Sequence, residues 1–478
     1  MPKRFTIVNA IPYVNSRPHV GFALELIQSD TLARYHRAQG EEVKYTTGTD
    51  ENALKNVQAA EKADKPVKEF VDEHAEIFRD LNTALNISAD EFIRTTEERH
   101  VIGAQKLWKA CDAAGDIYKK SYQGLYCVGC EVFYTEKDLI DGLCPEHKTK
   151  PELVEEENYF FRLSKYQDKL MQLLESDGIK ITPSSRKSEI TEFIKQGLED
   201  FSISRSNARA KNWGISVPGD PSQRQYVWFD ALTNYINALG YGTDEEKFKT
   251  WWGDSYRTHM IGKGIGRFHA IYWPAMLLSA GVALPNEIFI HGYVTVDGEK
   301  ISKTLGNVID PFEVVKKYGV DPLRYYLLRE IPSSGDGDFS YAKLEARYNG
   351  DLANNLGNLV SRVAKLVETK KKMENGEWRV DEKIQEKIDE AIKKYHEAVQ
   401  AFRLHEALAA IWELFTFGNV YINDKAPWKE TDDTKIAVTL ANASHLIQEG
   451  AKLLVPFLPE TAEKILKGAP GPLFPRLQ

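Results

Sequence analysis

The sequence predicts an α/β protein: a parallel sheet wound with helices, an inserted segment of short strands, and a C-terminal bundle of helices. Three observations carry this. A buried strand, an amphipathic helix and a second strand follow one another over 5–47, a βαβ unit that demands a parallel sheet with its ligand at the carboxyl ends of the strands. Between about 118 and 225 the texture changes to short strands, turns and clustered cysteines. From about 344 onward helical periodicity runs with few strand signals, the pattern of a bundle.

The elements follow in order. Phe5–Asn9 is a short apolar run with β-branched residues and reads as a buried strand. A loop with Pro12 and Pro18 follows, then a helix from about His19 to Gln39. Val20, Ala23, Leu24, Ile27 and Ala33 fall at helical spacing, and Gly40 terminates it. Val43–Thr47 is the next strand, and helical patterns occupy roughly 52–117. Glu287–His291 resumes the sheet. Asp310-Pro311 and Asp321-Pro322 each read as an N-cap followed by proline in the first helical turn. No internal repeat or low-complexity segment stands out.

At 478 residues the chain exceeds one core, and about three units are expected. Its 42% hydrophobic and 28% charged content is that of a soluble globular protein. No apolar run approaches the ~18 residues that span a bilayer, and the first residues lack a secretory pattern, so the expected compartment is the cytoplasm. A net charge of −8 argues against indiscriminate coating of nucleic acid, while leaving room for a local RNA contact.

Two short segments carry phosphate chemistry. Pro18-His19-Val20-Gly21 opens a helix directly after a strand. Such an N-terminus offers unpaired N–H groups to phosphate, glycine admits the nucleotide, and an imidazole donates to an oxygen that gains charge. Far along the chain, Lys300-Ile301-Ser302-Lys303-Thr304 forms a polar loop between Gly298 and Gly306. Ammonium groups on a mobile loop can close over a pyrophosphate leaving group. Singly these are a capping histidine and a charged turn. Together they describe a split ATP site, and so activation of a carboxylate by adenylation.

Three of the four cysteines lie within eighteen residues. Cys127-Val-Gly-Cys130 and Cys144-Pro-Glu-His147 are two hooks separated by thirteen residues. Two hooks complete a tetrahedral shell with no open position, which predicts one structural Zn²⁺. Cys111 lies outside and reads as a buried thiol.

On these residues the chain resembles the class I aminoacyl-tRNA synthetases, and within them the methionyl-tRNA synthetases. The class signatures His-Ile-Gly-His and Lys-Met-Ser-Lys-Ser appear as His19-Val20-Gly21-Phe22 and Lys300-Ile301-Ser302-Lys303-Thr304. The likeness extends through Asn9-Ala10-Ile11-Pro12-Tyr13, Gly48-Thr49-Asp50-Glu51, Tyr226-Val227-Trp228-Phe229-Asp230-Ala231, the run Phe268–Met276 and Ala426-Pro427-Trp428. It implies a Rossmann-like parallel-sheet catalytic domain in two halves, 1–117 and 226–318. It further implies a zinc-binding connective insertion over 118–225, a stem-contact segment over 319–345 with the lid loop preceding it, and a helical anticodon-binding domain over 346–478.

The resemblance also implies roles. Ile11, Tyr13, Trp228, Ala231, Leu232, Tyr235 and His269 would surround the methionine side chain, Asp50 would hold its ammonium, and Arg205 would orient that region. An apolar, aromatic slot with at most a weak donor is what a thioether needs. Catalysis would fall to His19, Lys300 and Lys303, and ATP would contact His19, Gly21, Lys300, Ser302, Lys303 and Thr304, with Mg²⁺ on the leaving group. Cys127, Cys130, Cys144 and His147 would hold zinc. Asn358, Arg362 and Trp428 would read the anticodon of tRNA(Met). A monomer is expected.

Three departures from the family stand out. Phe22 replaces the second histidine, Asn52-Ala53 replaces His-Gly, and Gly264 replaces an aspartate expected near the adenosine ribose. These leave an alternative open: a tRNA-binding paralogue with weakened catalysis. A synthetase for leucine, isoleucine or valine would generally carry a bulky editing insertion, which this chain lacks.

Overall fold

The structure, a computed structural model, describes residues 4–127, 132–134, 136–145, 148–296, 298–301, 306–369, 379–468 and 472–477. In chain order the elements are β1 (Arg4–Asn9), α1 (Val20–Ala38), β2 (Glu42–Thr49), α2 (Leu54–Lys62), α3 (Val67–Ala84), β3 (Glu91–Arg94), α4 (Glu98–Ala113), β4 (Ile117–Cys127), β5 (Val132–Tyr134), β6 (Glu152–Phe161), α5 (Gln167–Glu175), β7 (Lys180–Thr182) and α6 (Ser184–Lys195). There follow β8 (Phe201–Ser202), β9 (Ser204–Ser206), β10 (Ser216–Val217), β11 (Asp220–Gln225), α7 (Val227–Ala231), α8 (Asn234–Asn237), α9 (Glu245–Phe248), β12 (Tyr256–Gly262), α10 (Trp273–Ser279) and β13 (Glu287–His291). The rest are β14 (Val294–Val296), β15 (Glu299–Lys300), α11 (Pro311–Tyr318), α12 (Val320–Arg329), β16 (Gly337–Phe339), α13 (Tyr341–Arg347), α14 (Asn358–Thr369), α15 (Glu382–Gln400), α16 (Leu404–Lys425), α17 (Asp433–Leu454) and α18 (Pro459–Leu466). The chain divides into two compact units: residues 1–18, 41–83 and 88–290 form one, and 19–40, 84–87 and 291–478 the other.

The first unit is built on a six-stranded sheet in the order β3-β2-β1-β12-β13-β7. β1 runs parallel to both neighbours, with Ile7 opposite Tyr45 and Thr258. Its Phe5, Ile7 and Val8 are all buried, as expected of a parallel strand covered on both faces. The stretch 118–225 supplies β7, the edge strand parallel to β13. It also supplies a second sheet, β5-β4-β6-β8, in which β4 and β6 pair antiparallel from Ile117↔Phe161 to Tyr126↔Glu152. The helical reading of 52–117 misses β3, which lies parallel to β2.

The second unit holds α1, the three-stranded sheet β15-β14-β16, and α11–α18. The apolar positions named for α1 are all buried, yet so are Glu25, Gln28, Ser29, Asp30 and Thr31. A helix buried almost all round must pair its polar groups. Asp30 meets Arg324 at 2.8 Å and Arg34 at 2.8 Å. Arg324 also donates to the carbonyls of Phe457, Pro456 and Leu85. Asp310 caps α11 as read, accepting from the Phe312 N–H at 2.9 Å. Asp321 does not cap α12; it lies inside that helix, which begins at Val320, and accepts from the Thr461 N–H in α18 at 2.6 Å. It serves a helix terminus 140 residues away.

Candidate active site

The first unit gathers most of the expected methionine residues. β1 ends at Asn9, and Ile11 and Tyr13 follow in the loop beyond it. Tyr13 and Asp50 form a parallel bridge, and the Asp50 N–H donates to the Pro12 carbonyl at 2.8 Å. Asp50 is buried just past the carboxyl end of β2. Trp228 and Ala231 ride on α7, Leu232 ends it, and Tyr235 sits on α8. Tyr13 and Trp228 both pack on the small cluster of Ala53, Tyr226 and Val227. Arg205 lies over the Tyr226 ring at 4.3 Å and donates to the Ser204 carbonyl at 2.7 Å. Half-buried Ile11 lies in the same loop. The sequence reading gave no role to Phe268, whose ring stacks on Trp228 at 3.8 Å and 5°. The buried Trp228 Nε1–H has no hydrogen-bond partner among the described residues.

His269 closes this pocket in a defined protonation state. Its Nδ1 lies 2.9 Å from the Ile265 carbonyl, which can only accept, so Nδ1 carries the proton. Its Nε2 lies 2.6 Å from the Tyr235 hydroxyl, which therefore donates to it. Burial pushes the imidazole down to about 4, so the ring is neutral. The Tyr235 proton is thus directed at the histidine. His259, also unforeseen, stands behind Tyr235 at 4.6 Å between ring centres and takes the Trp273 indole N–H at 3.1 Å.

Around Asp50 the substituted Asn52 is fully employed. Its amide donates to Asp230 Oδ2 at 2.8 Å and to the Thr95 carbonyl at 3.1 Å. Asp230 Oδ1 in turn meets His100 Nε2 at 2.8 Å, both side chains being buried. Glu51 is held in the same fashion: Arg94 grips both its oxygens at 2.7 and 2.9 Å.

The nucleotide signature belongs to the second unit. His19 is the N-cap of α1, and its Nδ1 accepts from the Gly21 N–H at 3.1 Å. The proton therefore sits on Nε2, leaving a donor on the far edge of the ring. Burial lowers the pKa of this imidazole. A Cβ at Gly21 would lie 2.8 Å from His19 Cε1, so glycine is required for the ring to fold over its own helix. The lysine loop leaves β14 through Gly298, whose φ is +77° and whose N–H donates to Asp338 Oδ1 at 2.8 Å. Lys300 lies on β15, while Ser302, Lys303 and Thr304 fall outside the described residues.

Residues 5–150 and 137–364 match the family described as tRNA synthetases class I (M), and residues 373–470 match the anticodon binding domain of methionyl tRNA ligase. The chain belongs to the class I methionyl-tRNA synthetases. Similar proteins include the methionine–tRNA ligase of Thermotoga maritima, 43% identical with 97% of this chain and 75% of that protein covered. That of Brucella suis is 43% identical with 97% and 91% covered. The methionyl-tRNA synthetase of Mycobacterium tuberculosis in complex with methionyl-adenylate superposes with a TM-score of 0.94 at 38% identity, covering 99% of this chain and all of that one.

The expected metal and anticodon residues lie elsewhere in the chain. Cys127 ends β4 and Cys144 follows a tight bridge; both are buried and free of disulfide. Thr149 joins them, its hydroxyl 3.9 Å from Cys127 Sγ and its carbonyl accepting from the Cys144 N–H at 2.9 Å. Cys130 and His147 fall outside the described residues, among which no group of three or more metal-ligating side chains forms. In the bundle, Arg362 lies over the Trp428 ring at 5.1 Å and donates to Asn423 at 2.8 Å. Trp428 is 45% exposed, and exposed Asn358 stands one helical turn before Arg362. Among the described residues no helix is long and apolar enough to cross a membrane.

Proposed function

We propose that the chain is a methionine–tRNA ligase. It joins L-methionine to ATP as methionyl-adenylate and passes the methionyl group to tRNA(Met). The observation that carries this is the family match over 5–364 and 373–470, catalytic and anticodon-binding segments together, with a neutral Tyr235–His269 pair suited to a thioether. A methionine carboxylate oxygen attacks the α-phosphorus of ATP; the bond to the β-phosphate oxygen breaks and pyrophosphate leaves. A terminal ribose hydroxyl then attacks the acyl carbon, releasing AMP and a proton.

Asp50 holds the substrate ammonium, and Arg205 steadies its surroundings. Ile11, Tyr13, Trp228, Ala231, Leu232, Tyr235 and His269 enclose the side chain. His19 donates from Nε2 to a phosphate oxygen, Gly21 admits the nucleotide, and Lys300, Ser302, Lys303 and Thr304 close on the leaving pyrophosphate. Mg²⁺ arrives as the counter-ion of ATP. Cys127, Cys130, Cys144 and His147 would hold one structural Zn²⁺ in the insertion, a role that suits two buried thiols outside any disulfide, both on residues bonded to Thr149. Asn358, Arg362 and Trp428 read anticodon bases by edge contacts and stacking. The working divisions are 1–117 and 226–318 for catalysis, 118–225 for the insertion, 319–345 for stem contact and 346–478 for the anticodon, in a cytoplasmic monomer.

A catalytically weakened paralogue is not favoured. The family match spans the catalytic segments, and Asn52 makes two hydrogen bonds where a histidine is missing. Lys303→Ala is expected to cut methionine-dependent ATP–pyrophosphate exchange by at least tenfold, a transition-state loss above about 1.4 kcal/mol, with methionine binding retained. Unchanged exchange in that variant would discard the lysine-loop assignment.

A further inference from the structure

A small cavity in the first unit lies beside the methionine residues and shares Arg205 with them. It has a volume of about 30 Å³, and its lining includes Asn52, Tyr126, Arg205, Arg209, Trp213 and Gln225. Two guanidinium groups face it, and no carboxylate does. Gln225 is only 4% exposed, yet neither its Nε2 nor its Oε1 has a hydrogen-bond partner among the described residues. The same holds for Arg209 Nε, although that guanidinium lies 4.2 Å from the Tyr126 ring centre. Leaving an amide and a guanidinium nitrogen buried and unpaired is costly. Such groups are normally paired, so they point to something that occupies the cavity.

Size and charge narrow the occupant. Such a volume admits roughly two waters, the bulk of a phosphate group and far less than a base. Two arginines line the cavity with no acid in the lining, the nearest partner of Arg209 being the exposed Glu152 at 3.9 Å; this selects an anion, and Arg geometry suits phosphate oxygens. The amide adds a donor for a third oxygen, and its carbonyl is an acceptor for a hydroxyl alongside. Position completes the argument. Asn52 follows Asp50 by two residues and donates to it at 3.3 Å; Val227 of the lining precedes Trp228; Tyr126 precedes the thiol Cys127. The cavity thus borders the proposed methionine ammonium site through Asn52.

We propose that this cavity seats the phosphate of the terminal nucleotide of the tRNA 3′ strand, with Arg209 and Gln225 Nε2 donating to its oxygens and Gln225 Oε1 accepting from a ribose hydroxyl. The inference rests on the tRNA-charging function proposed above. Free phosphate or pyrophosphate offers the same chemistry, so the test separates the sources.

Arg209→Gln and Gln225→Leu are compared with the unaltered enzyme in methionine-dependent pyrophosphate exchange, in tRNA charging over a salt series, and in inhibition by inorganic phosphate. The expected result is exchange within twofold of the unaltered enzyme and kcat/KM for tRNA lowered at least tenfold. The salt dependence of charging in Arg209→Gln should flatten by about 0.7 in log–log slope, one phosphate contact on a single strand, and Arg209→Lys should restore it. Inorganic phosphate should compete with tRNA in the unaltered enzyme and lose that effect in Arg209→Gln. Charging and salt slope left unchanged would overturn the inference while leaving the ligase reading intact. Exchange falling in parallel with charging would assign the residues to the adenylation site and overturn it as well. Altered phosphate inhibition of exchange with intact charging would make this a free-anion site, again overturning it. Absence of exchange in the unaltered enzyme would instead refute the ligase reading itself.

Discussion

Acid titration isolates the histidine at the centre of the proposed methionine pocket. His269 is 1% exposed, and burial lowers its pKa from 6.5 to about 4. In the unfolded chain the ring takes a proton near 6.5; in the folded chain it resists until about 4. Below 6.5 the unfolded state therefore binds more protons, and stability falls as pH falls. The contribution is fully present above 6.5 and is lost progressively down to about 4, a span worth about 3 kcal/mol at ~1.4 kcal/mol per unit. His269→Gln retains an acceptor for the Tyr235 hydroxyl and cannot titrate. Melting of both proteins is followed from pH 7 to pH 4. Relative to the variant, the unaltered protein should lose roughly 6–12 °C more across that window, at ~2–4 °C per kcal/mol. His259 is present in both, so its own titration largely cancels. Methionine affinity should hold until the pH nears 4, where the folded ring is protonated and Nε2 no longer accepts from Tyr235. Parallel melting curves would refute the neutral-tautomer reasoning and the assignment of the Tyr235 proton with it.

Other perturbations have equally definite outcomes. Asp30→Asn leaves the fully buried Arg324 without its carboxylate and should destabilise by about 3–5 kcal/mol, read as a fall in melting temperature; Asp30→Asn with Arg324→Met should recover most of the loss. Gly21→Ala should push the His19 ring off its cap, since the new Cβ would lie 2.9 Å from Nδ1; the expected readout is slower pyrophosphate exchange with methionine binding unchanged. Trp428→Ala should raise the KM for tRNA by roughly five- to a hundredfold, the worth of about 1–3 kcal/mol of base stacking, without altering exchange.

The comparison of sequence with structure shows where local pattern suffices. β1, α1 and β13 announce themselves because their apolar residues recur at the spacing of their own backbone, and Asp310 because a cap bonds two residues along its own chain. β12 has no such signal: Tyr256, Arg257, Thr258 and His259 look like a polar loop. They become a strand because groups outside it satisfy them: Arg257 donates to the Leu284 carbonyl, and His259 accepts from Trp273. Asp321 misleads for the same reason, its local cap pattern being overruled by a partner 140 residues on. The site divides along this line. Asp50, Trp228 and His269 stand within short motifs and can be named from sequence. What they need around them cannot: Phe268 against Trp228, the Asn52–Asp230–His100 chain, and the Ile265 carbonyl that fixes the His269 tautomer. The Asn52 substitution makes the point sharply. Counted as a motif residue it is a loss, but its amide donates to Asp230 and to the Thr95 carbonyl, partners no motif records. Motifs record residue identity, whereas the fold presents a hydrogen-bond donor at a place, and more than one side chain type carries one.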